Sequence, residues 1–222
     1  LPNQTLNGWI ETLQHVLTLR PEHVSCYGLK VEPGTPMWDY KDCITLPDGD
    51  DQADMYLYTC DKLEELGYLQ YEISNFARVG FESRHNLKYW TGGEYIGFGI
   101  GASSYFQGKR FNNMRDIMGY IQLMEETSGK FVEMDNMEIL YNEITRKLRE
   151  NVTPIYIDSR IEEFMFLGMR MMCGVSRIDF EERFNKDIYE VYGPVLNKYI
   201  DQGYIGTYDD RIFLTDKGID VS

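Results

Sequence analysis

The sequence lacks the close cysteine spacings that metal and disulfide sites require. Its four cysteines lie far apart in the chain, with no CxxC pair, at Cys26, Cys43, Cys60 and Cys173. Isolated thiols of this kind are typical of reduced, mostly buried side chains in a cytosolic protein. We therefore predict a cytoplasmic protein whose cysteines form neither a disulfide framework nor a complete metal site.

Long apolar runs and basic residues are also scarce. No apolar run approaches the roughly 18 to 20 residues that a membrane helix needs. The 22 basic and 36 acidic residues give a net charge of −14, which repels phosphate backbones and anionic membrane surfaces. We therefore expect no membrane span and no nucleic acid as the main partner. The hydrophobic fraction of 43% and the aromatic fraction of 14% instead indicate an ordered globular protein.

The two ends of the sequence carry no start or targeting signal. The sequence opens on Leu1 and Pro2 without an initiator methionine or a signal peptide, and it stops at Ser222, just after what reads as the start of a helix. We therefore expect a piece of a longer protein, with further motifs outside these 222 residues.

The first half of the sequence alternates helical and extended patterns. A helix is predicted after an N-cap at Thr5, a strand within 23–36, a second helix over 48–67 that Gly67 ends, and a strand over 68–76. The second helix is predicted to place one set of side chains on a single face: Ala53, Tyr56, Leu57, Cys60, Leu63 and Leu66. This rhythm is typical of βα units with a parallel sheet. A glycine-containing third strand is predicted over 95–106.

The second half is mainly helical. Amphipathic helices are predicted over 116–126, 134–149, 159–174, 177–184 and 187–201. Ser159 and Glu162 form a capping box at the start of the third of these helices. A terminal hairpin is predicted to turn at Asp209 and Asp210. Three helices followed by a hairpin resemble a winged-helix layout.

The stretch SRHNLKYW contains one of only three histidines, beside an amide and two large aromatic side chains. A lone histidine is more often structural than a ligand, so His85 by itself favours a packed turn. Tyr89 and Trp90 nevertheless offer faces on which a planar ring can stack, and neutral imidazole commonly binds porphyrin iron. The residues alone leave both interpretations open.

The stretch YEISNFAR raises a second question. Glu72, Ser74 and Asn75 follow one another at the predicted end of a strand, where parallel α/β folds bind ligands. The structural alternative is that Ser74 and Asn75 cap the next segment while Glu72 pairs with Arg78 or Arg84. We hold these two interpretations as equal.

Several segments in order together resemble the HemW branch of the oxygen-independent coproporphyrinogen III oxidase family, in the radical SAM superfamily. They are LPNQT, SCYGLKVEPGTP, LPDGDDQADMY, GYLQYEISNFAR, SRHNLKYW, YIGFGIGAS and EEFMFLGMRMMCGV. The resemblance covers residues 1 to about 113 and about 158 to the end. Residues 131–152 fit poorly and look like a longer connection than the family carries.

This resemblance implies an α/β fold: the C-terminal part of a partial (β/α) radical SAM barrel, followed by a small helical, winged-helix-like domain. We expect the later βα units over 1–128, a helical connection over 129–157 and the winged-helix-like domain over 158–222. In the full-length protein the family holds a 4Fe-4S cluster and S-adenosylmethionine. The cluster ligands come from a CxxxCxxC motif, which is absent from this sequence.

The resemblance also implies two sets of binding residues. The family motif HNxxYW is associated with heme binding, and its four positions are matched by His85, Asn86, Tyr89 and Trp90. His85 is thus expected to be the heme-iron ligand or its immediate neighbour. The adenine pocket of the family corresponds to Tyr27, Leu29 and Ile73. No residue is assigned a catalytic role.

The leading hypothesis is a heme chaperone that delivers heme to respiratory hemoproteins, with self-association into a homodimer as a further expectation. The first alternative is a true coproporphyrinogen III oxidase, in which a 5′-deoxyadenosyl radical abstracts hydrogen from propionate side chains before decarboxylation. A nucleic-acid-binding winged helix is a third alternative, and the acidic composition argues against it.

Overall fold

The computed structural model describes residues 1–128 and 137–221, without the side chains of residues 137–141. Backbone contacts divide the chain into two compact units. Unit 1 joins Leu1–Leu87 to Gly168–Ser222, and unit 2 is Lys88–Leu167. The domain boundaries expected near residues 128 and 158 stay predictions.

The first part of unit 1 alternates helices with short strands. Its elements are α1 (Leu6–Thr18), β1 (His23–Ser25), α2 (Pro36–Asp39), α3 (Gly49–Glu65), β2 (Leu69–Glu72) and β3 (Asn75–Ala77). α1 begins as predicted, because the hydroxyl of Thr5 accepts a hydrogen bond from the backbone N–H of Gly8 at 3.2 Å. α3 ends as predicted before Gly67, whose φ of +82° lets its N–H return to the carbonyl of Glu64.

The predicted parallel pairing is wrong, because β3 lies between β1 and β2 and runs antiparallel to both. β1 and β2 therefore run in the same direction, as βα units require, but they are not neighbours. The reason is a two-residue turn at Ile73 and Ser74. The sheet register pairs Glu72 with Asn75, so the single strand predicted over 68–76 folds back on itself as a hairpin.

The buried face of α3 also differs from the predicted one. Met55, Thr59 and Leu63, four residues apart, are buried, whereas Leu57 and Leu66 are each 47% exposed. α1 and β2 pack against α3. The core on the covered side consists of buried apolar side chains: Leu13, Val24, Leu63, Tyr68 and Phe76.

Unit 2 is built around an antiparallel sheet in the order β4-β5-β6. A short helix, α4 (Arg84–Trp90), passes from unit 1 into unit 2. The further elements are β4 (Ser103–Phe106), β5 (Lys109–Asn113), α5 (Ile117–Ser128), α6 (Met137–Leu148), β6 (Arg149–Pro154) and α7 (Ile157–Gly168). α6 agrees with the predicted helix over 134–149, of which residues 134–136 lie outside the described residues.

The third predicted strand is much shorter than expected. Only its last residues form β4, because Gly99 (φ +93°) and Gly101 (φ +64°) take left-handed conformations that no strand accommodates. The strand β6 was not predicted at all. Its register runs from Lys109 with Pro154 to Asn113 with Arg149, so a partner distant in sequence determines it.

The C-terminal part has the order of elements of a winged helix. After α7 follow β7 (Val175–Ser176), α8 (Arg177–Phe184), α9 (Ile188–Asp201), β8 (Ile205–Tyr208), β9 (Arg211–Leu214) and α10 (Asp216–Ile219). The predicted turn at Asp209 and Asp210 is confirmed, since Tyr208 pairs with Arg211 across the hairpin. This agreement reflects local turn chemistry, because Asp209 takes the left-handed conformation (φ +56°) that aspartate tolerates.

The helix predicted over 159–174 has different ends. α7 begins at Ile157 and stops at Gly168, and the chain then lies along β2. There the N–H of Met172 donates to the carbonyl of Tyr71 at 3.2 Å, and Met171 forms a bridge with Glu72. The helix therefore ends where the chain pairs with the open edge of β2, although the sequence pattern beyond Gly168 is still helical.

Within residues 1–128 and 137–221 there are three three-stranded sheets, and none of them closes into a barrel. In the same residues, no helix combines the length and the apolar character that crossing a membrane requires.

Candidate functional site

A cavity of about 260 Å³ lies in unit 1 and brings together the three residues expected to form an adenine pocket. Tyr27, Leu29 and Ile73 all line it. Its other lining residues are Leu1, Gln4, Trp9, Cys26, Gly28, Leu46, Pro47, Gln52, Met55, Tyr56, Thr59 and Ser74. No side chain in this lining belongs to a residue type that is charged at neutral pH. The cavity therefore suits an uncharged, flat and largely apolar group.

The hairpin turn between β2 and β3 builds one wall of this cavity. The N–H of Cys26 donates to the carbonyl of Ser74 at 2.8 Å, which draws the segment after β1 alongside the turn. The side-chain amide of Asn75 then donates to the hydroxyl of Tyr27 at 2.9 Å. Residues 48 positions apart in sequence are thus held side by side by the insertion of β3.

Two further aromatic side chains of the cavity lining, Trp9 and Tyr56, are fixed by hydrogen bonds. The indole N–H of Trp9 donates to the hydroxyl of Thr59 at 2.8 Å and to the carbonyl of Met55 at 3.2 Å. The hydroxyl of Tyr56 donates to the carbonyl of Ile73 at 3.1 Å. Rings held in this way present rigid faces on which a planar ligand can stack at low entropic cost.

Two side chains of the cavity lining, Cys26 and Tyr56, have pKa values that are raised. Burial, with a smaller contribution from nearby Cys60, raises the pKa of the Cys26 thiol to about 11. Burial also raises the pKa of Tyr56, and the hydrogen bond from Gln70 offsets this only in part. At neutral pH both groups are protonated, so neither acts as a nucleophile or as an anionic ligand.

Glu72, Ser74 and Asn75 form a network behind the cavity wall, and Arg170 completes it. The Glu72 carboxylate is fully buried and accepts hydrogen bonds from the N–H of Ser74 at 2.9 Å and from the Asn75 amide. Arg170 pairs with it at 3.2 Å. Glu72 therefore pairs with an arginine, as the structural alternative expected, but the partner is Arg170 and neither Arg78 nor Arg84.

The motif HNLKYW lies on the helix α4, and not on the packed turn that His85 considered by itself favoured. Ser83 caps it, because its carbonyl accepts from the N–H of Leu87 at 2.9 Å and its hydroxyl accepts from the N–H of Asn86 at 3.3 Å. His85 is exposed to solvent, and Asn86 is half-buried.

The other two motif residues occupy the last turn of the same helix. Tyr89 follows His85 by four positions and Trp90 follows Asn86 by four, so each pair shares a helix face. Tyr89 packs edge-on against Tyr95, with ring centroids 4.6 Å apart. Helical spacing thus places the aromatic ring of Tyr89 one turn from His85.

No group of three histidine, cysteine or acidic side chains is placed to hold a metal ion among the described residues. The cysteines are dispersed, with Cys43 and Cys173 exposed and the others half-buried.

Sequence reasoning missed several residues of these sites. Trp9, Tyr56 and Thr59 of the cavity were interpreted only as helix positions, and Arg170 was not considered. A usable signal existed for Tyr56, since an aromatic residue with a polar end seldom stays buried without a partner. The pairing of Arg170 with Glu72 had no signal, because 98 positions separate them.

A protein family and several known proteins are similar to this chain in sequence. Residues 158–221 match the HemN C-terminal domain family. The Heme chaperone HemW of Bacillus subtilis (strain 168) is 36% identical over 220 residues, which cover 98% of this chain and 53% of that protein. The Heme chaperone HemW of Lactococcus lactis subsp. lactis (strain IL1403) is 34% identical over 223 residues, covering 100% and 54%. The chain spans about half the length of these relatives.

A solved structure supports the fold. Coproporphyrinogen III oxidase (HemN) from Escherichia coli, described as a radical SAM enzyme, matches with a TM-score of 0.69 and 17% identity. The match covers 100% of this chain and 50% of that one. Identity at this level shows the fold alone, and it confirms the predicted fold class of an α/β chain with part of a radical SAM fold.

Proposed function

The chain belongs to the HemW-type radical SAM proteins, and on that premise we propose that its full-length protein binds heme and passes it to a respiratory hemoprotein. One observation carries the proposal. The complete motif HNxxYW lies on the helix α4, with the imidazole of His85 exposed to solvent. An exposed imidazole suits a cargo that must be taken up and released again, whereas a buried ligand suits a permanent cofactor.

In this proposal each motif residue has a separate task. His85 supplies an imidazole nitrogen to the iron, Tyr89 and Trp90 contribute ring faces and edges beside the porphyrin, and Asn86 belongs to the same first turn as His85. Heme enters as cargo, so no residue of α4 needs to act as an acid, a base or a nucleophile.

We propose that the cavity of unit 1 receives the adenine part of S-adenosylmethionine. The uncharged lining and the stacking faces of Trp9 and Tyr56 support this assignment, together with the positions of Tyr27, Leu29 and Ile73. When bound with a 4Fe-4S cluster, S-adenosylmethionine supplies radical chemistry in this superfamily. The residues of this chain would orient the adenine and exclude water from it.

The test of the proposed function is a heme titration of the full-length protein, followed by its Soret absorption band. A saturable band with one heme per chain, and transfer of that heme to an acceptor apo-hemoprotein, supports the chaperone. Conversion of coproporphyrinogen III by the cluster-reconstituted protein, without saturable heme binding, would instead establish the oxidase alternative.

Filling the cavity should remove cofactor binding. We expect Leu29→Trp to raise the dissociation constant for S-adenosylmethionine by more than about tenfold, because the indole would occupy the space of the ligand ring. Equilibrium dialysis with labelled cofactor measures this effect in the reconstituted full-length protein.

The matched control for this variant is Leu19→Trp. Leu19 follows α1 and is 80% exposed, so an indole there meets no part of the cavity. Equal affinities of wild type and Leu29→Trp would contradict the assignment of the cavity to the adenine group.

A further inference from the structure

Asn75 has a fully buried side chain that bonds to a residue of the cavity lining. Its amide N–H groups donate to the Glu72 carboxylate and, at 2.9 Å, to the hydroxyl of Tyr27. Its amide oxygen accepts from the hydroxyl of Ser25 at 2.5 Å. The amide therefore uses both of its donors and its oxygen within the protein. Of these four residues, only Tyr27 lines the cavity.

The orientation of the Asn75 amide follows from its carboxylate partner. The guanidinium of Arg170 lies 3.2 Å from the buried carboxylate of Glu72 and stabilises it as an ion. An ionised carboxylate only accepts hydrogen bonds, so the NH2 group of Asn75 must face it. The second N–H of this group then donates to the oxygen of Tyr27. A flipped amide would instead place its own oxygen against the carboxylate.

Tyr27 lies in the irregular segment between β1 and α2, and it is 64% exposed. Few packing contacts hold a side chain that is exposed to this degree. Two hydrogen bonds restrain it instead. The N–H of the neighbouring Cys26 donates to the carbonyl of Ser74 at 2.8 Å, and the amide of Asn75 binds the hydroxyl at the far end of the ring. The side chain is thus restrained at its backbone and at its tip.

We propose that Asn75 is a positioning residue for the ligand of the cavity, because its buried amide holds the ring of Tyr27 in place as part of the lining. A ring that is ordered before binding loses no further freedom when the ligand arrives. Asn75 thus contributes to affinity without contacting the ligand. This inference rests on the proposed function, since it requires the cavity to bind the adenine part of S-adenosylmethionine.

The first test is Tyr27→Phe in the reconstituted full-length protein. This variant keeps the ring and loses the hydroxyl that Asn75 holds, so the dissociation constant for S-adenosylmethionine should rise about 3- to 10-fold. Equilibrium dialysis with labelled cofactor measures the change. The matched control is Tyr40→Phe, because Tyr40 is also 64% exposed and does not line the cavity. Equal affinities of the two variants would overturn the proposal.

The second test introduces Asn75→Ala into the wild type and into Tyr27→Phe. If Asn75 acts through Tyr27, its loss should weaken binding about 3- to 10-fold in the wild type and have no further effect in Tyr27→Phe. A merely structural role of Asn75 would weaken binding in both backgrounds. Additive losses therefore contradict the proposal.

A milder variant covers the case in which Asn75→Ala does not fold. Ser25→Ala removes the hydroxyl that donates to the Asn75 oxygen, and it leaves the amide in place on an exposed position of β1. Binding should weaken about twofold in the wild type and remain unchanged in Tyr27→Phe, because the amide loses one of the bonds that orient it. The same loss in both backgrounds, or no loss in the wild type, counts against the proposal.

Leu29→Trp separates this inference from the assignment of the cavity. If Leu29→Trp binds S-adenosylmethionine as well as the wild type does, the adenine group lies elsewhere, and both the assignment and the inference fail. If Leu29→Trp loses the cofactor while Tyr27→Phe binds it as Tyr40→Phe does, the assignment holds and only the inference fails. Weaker binding in Leu29→Trp and in Tyr27→Phe, with Tyr40→Phe unchanged, supports both.

Discussion

Arg170→Ala is expected to lower the free energy of unfolding by about 3–5 kcal/mol. Its partner Glu72 has a fully buried carboxylate, and the pair joins positions 98 residues apart at an N–O distance of 3.2 Å. Without the guanidinium, a negative charge remains in the interior with only the hydrogen bonds from Ser74 and Asn75. Urea unfolding of the full-length protein, followed by circular dichroism, measures the loss.

A second substitution identifies the cause of this loss. Glu72→Gln removes the buried charge and keeps an oxygen that accepts from the N–H of Ser74, so it should restore part of the stability of Arg170→Ala. Lys62→Ala serves as the control, because Lys62 pairs with Glu65 on the surface of α3. We expect that control to cost less than about 1 kcal/mol. An Arg170→Ala variant as stable as this control would show that the pair contributes nothing.

The second large effect is expected at His85. His85→Ala should eliminate the spectrum of histidine-ligated heme and raise the dissociation constant by more than about tenfold, since loss of an outer-shell partner alone typically costs that much. Absorption titration of the full-length protein with hemin measures both quantities. A His85→Met variant should retain binding with a changed spectrum, because a thioether replaces the imidazole as ligand.

The control for His85 is another exposed histidine. His15→Ala removes an imidazole from the last turn of α1, far along the chain from the motif, and should leave the spectrum unchanged. If His85→Ala and His15→Ala give the spectrum of the wild type, the iron ligand is a different residue and the heme site must be placed elsewhere.

Local signals in the sequence predicted helix ends and tight turns well. Thr5 caps α1, Gly67 ends α3, and the hairpin turns at Asp209 and Asp210. Each of these features depends on a few neighbouring residues, whose hydrogen bonds and backbone angles are the same in any context. For the same reason the order of helices in the C-terminal part agrees with the prediction.

Features that depend on distant partners were not predictable in this way. β3 inserts between β1 and β2, β6 forms against β5, and α7 stops where the chain meets the edge of β2. Apolar periodicity indicates that a segment has a face to bury, but it does not identify the segment that covers this face. Strand pairing was therefore the least predictable part of the fold.

The two candidate sites differ in the same way, because the residues of one are contiguous in the sequence and those of the other are not. The residues of HNLKYW stand together in the sequence, so the resemblance alone identified all four, and the structure added that they form a helix. The cavity is assembled from segments around Trp9, Tyr27, Tyr56 and Ile73. Family resemblance identified two of these residues, and only the structure identified the aromatic wall that faces them.

The sequence by itself determined most helix positions, the tight turns and the family, because each depends on residues close together in the chain or on their order. Only the tertiary structure decided the pairing of β3 and the partner of Glu72. These contacts join residues that are distant in sequence. Their free energy depends on how the whole unit packs, and no local pattern records it.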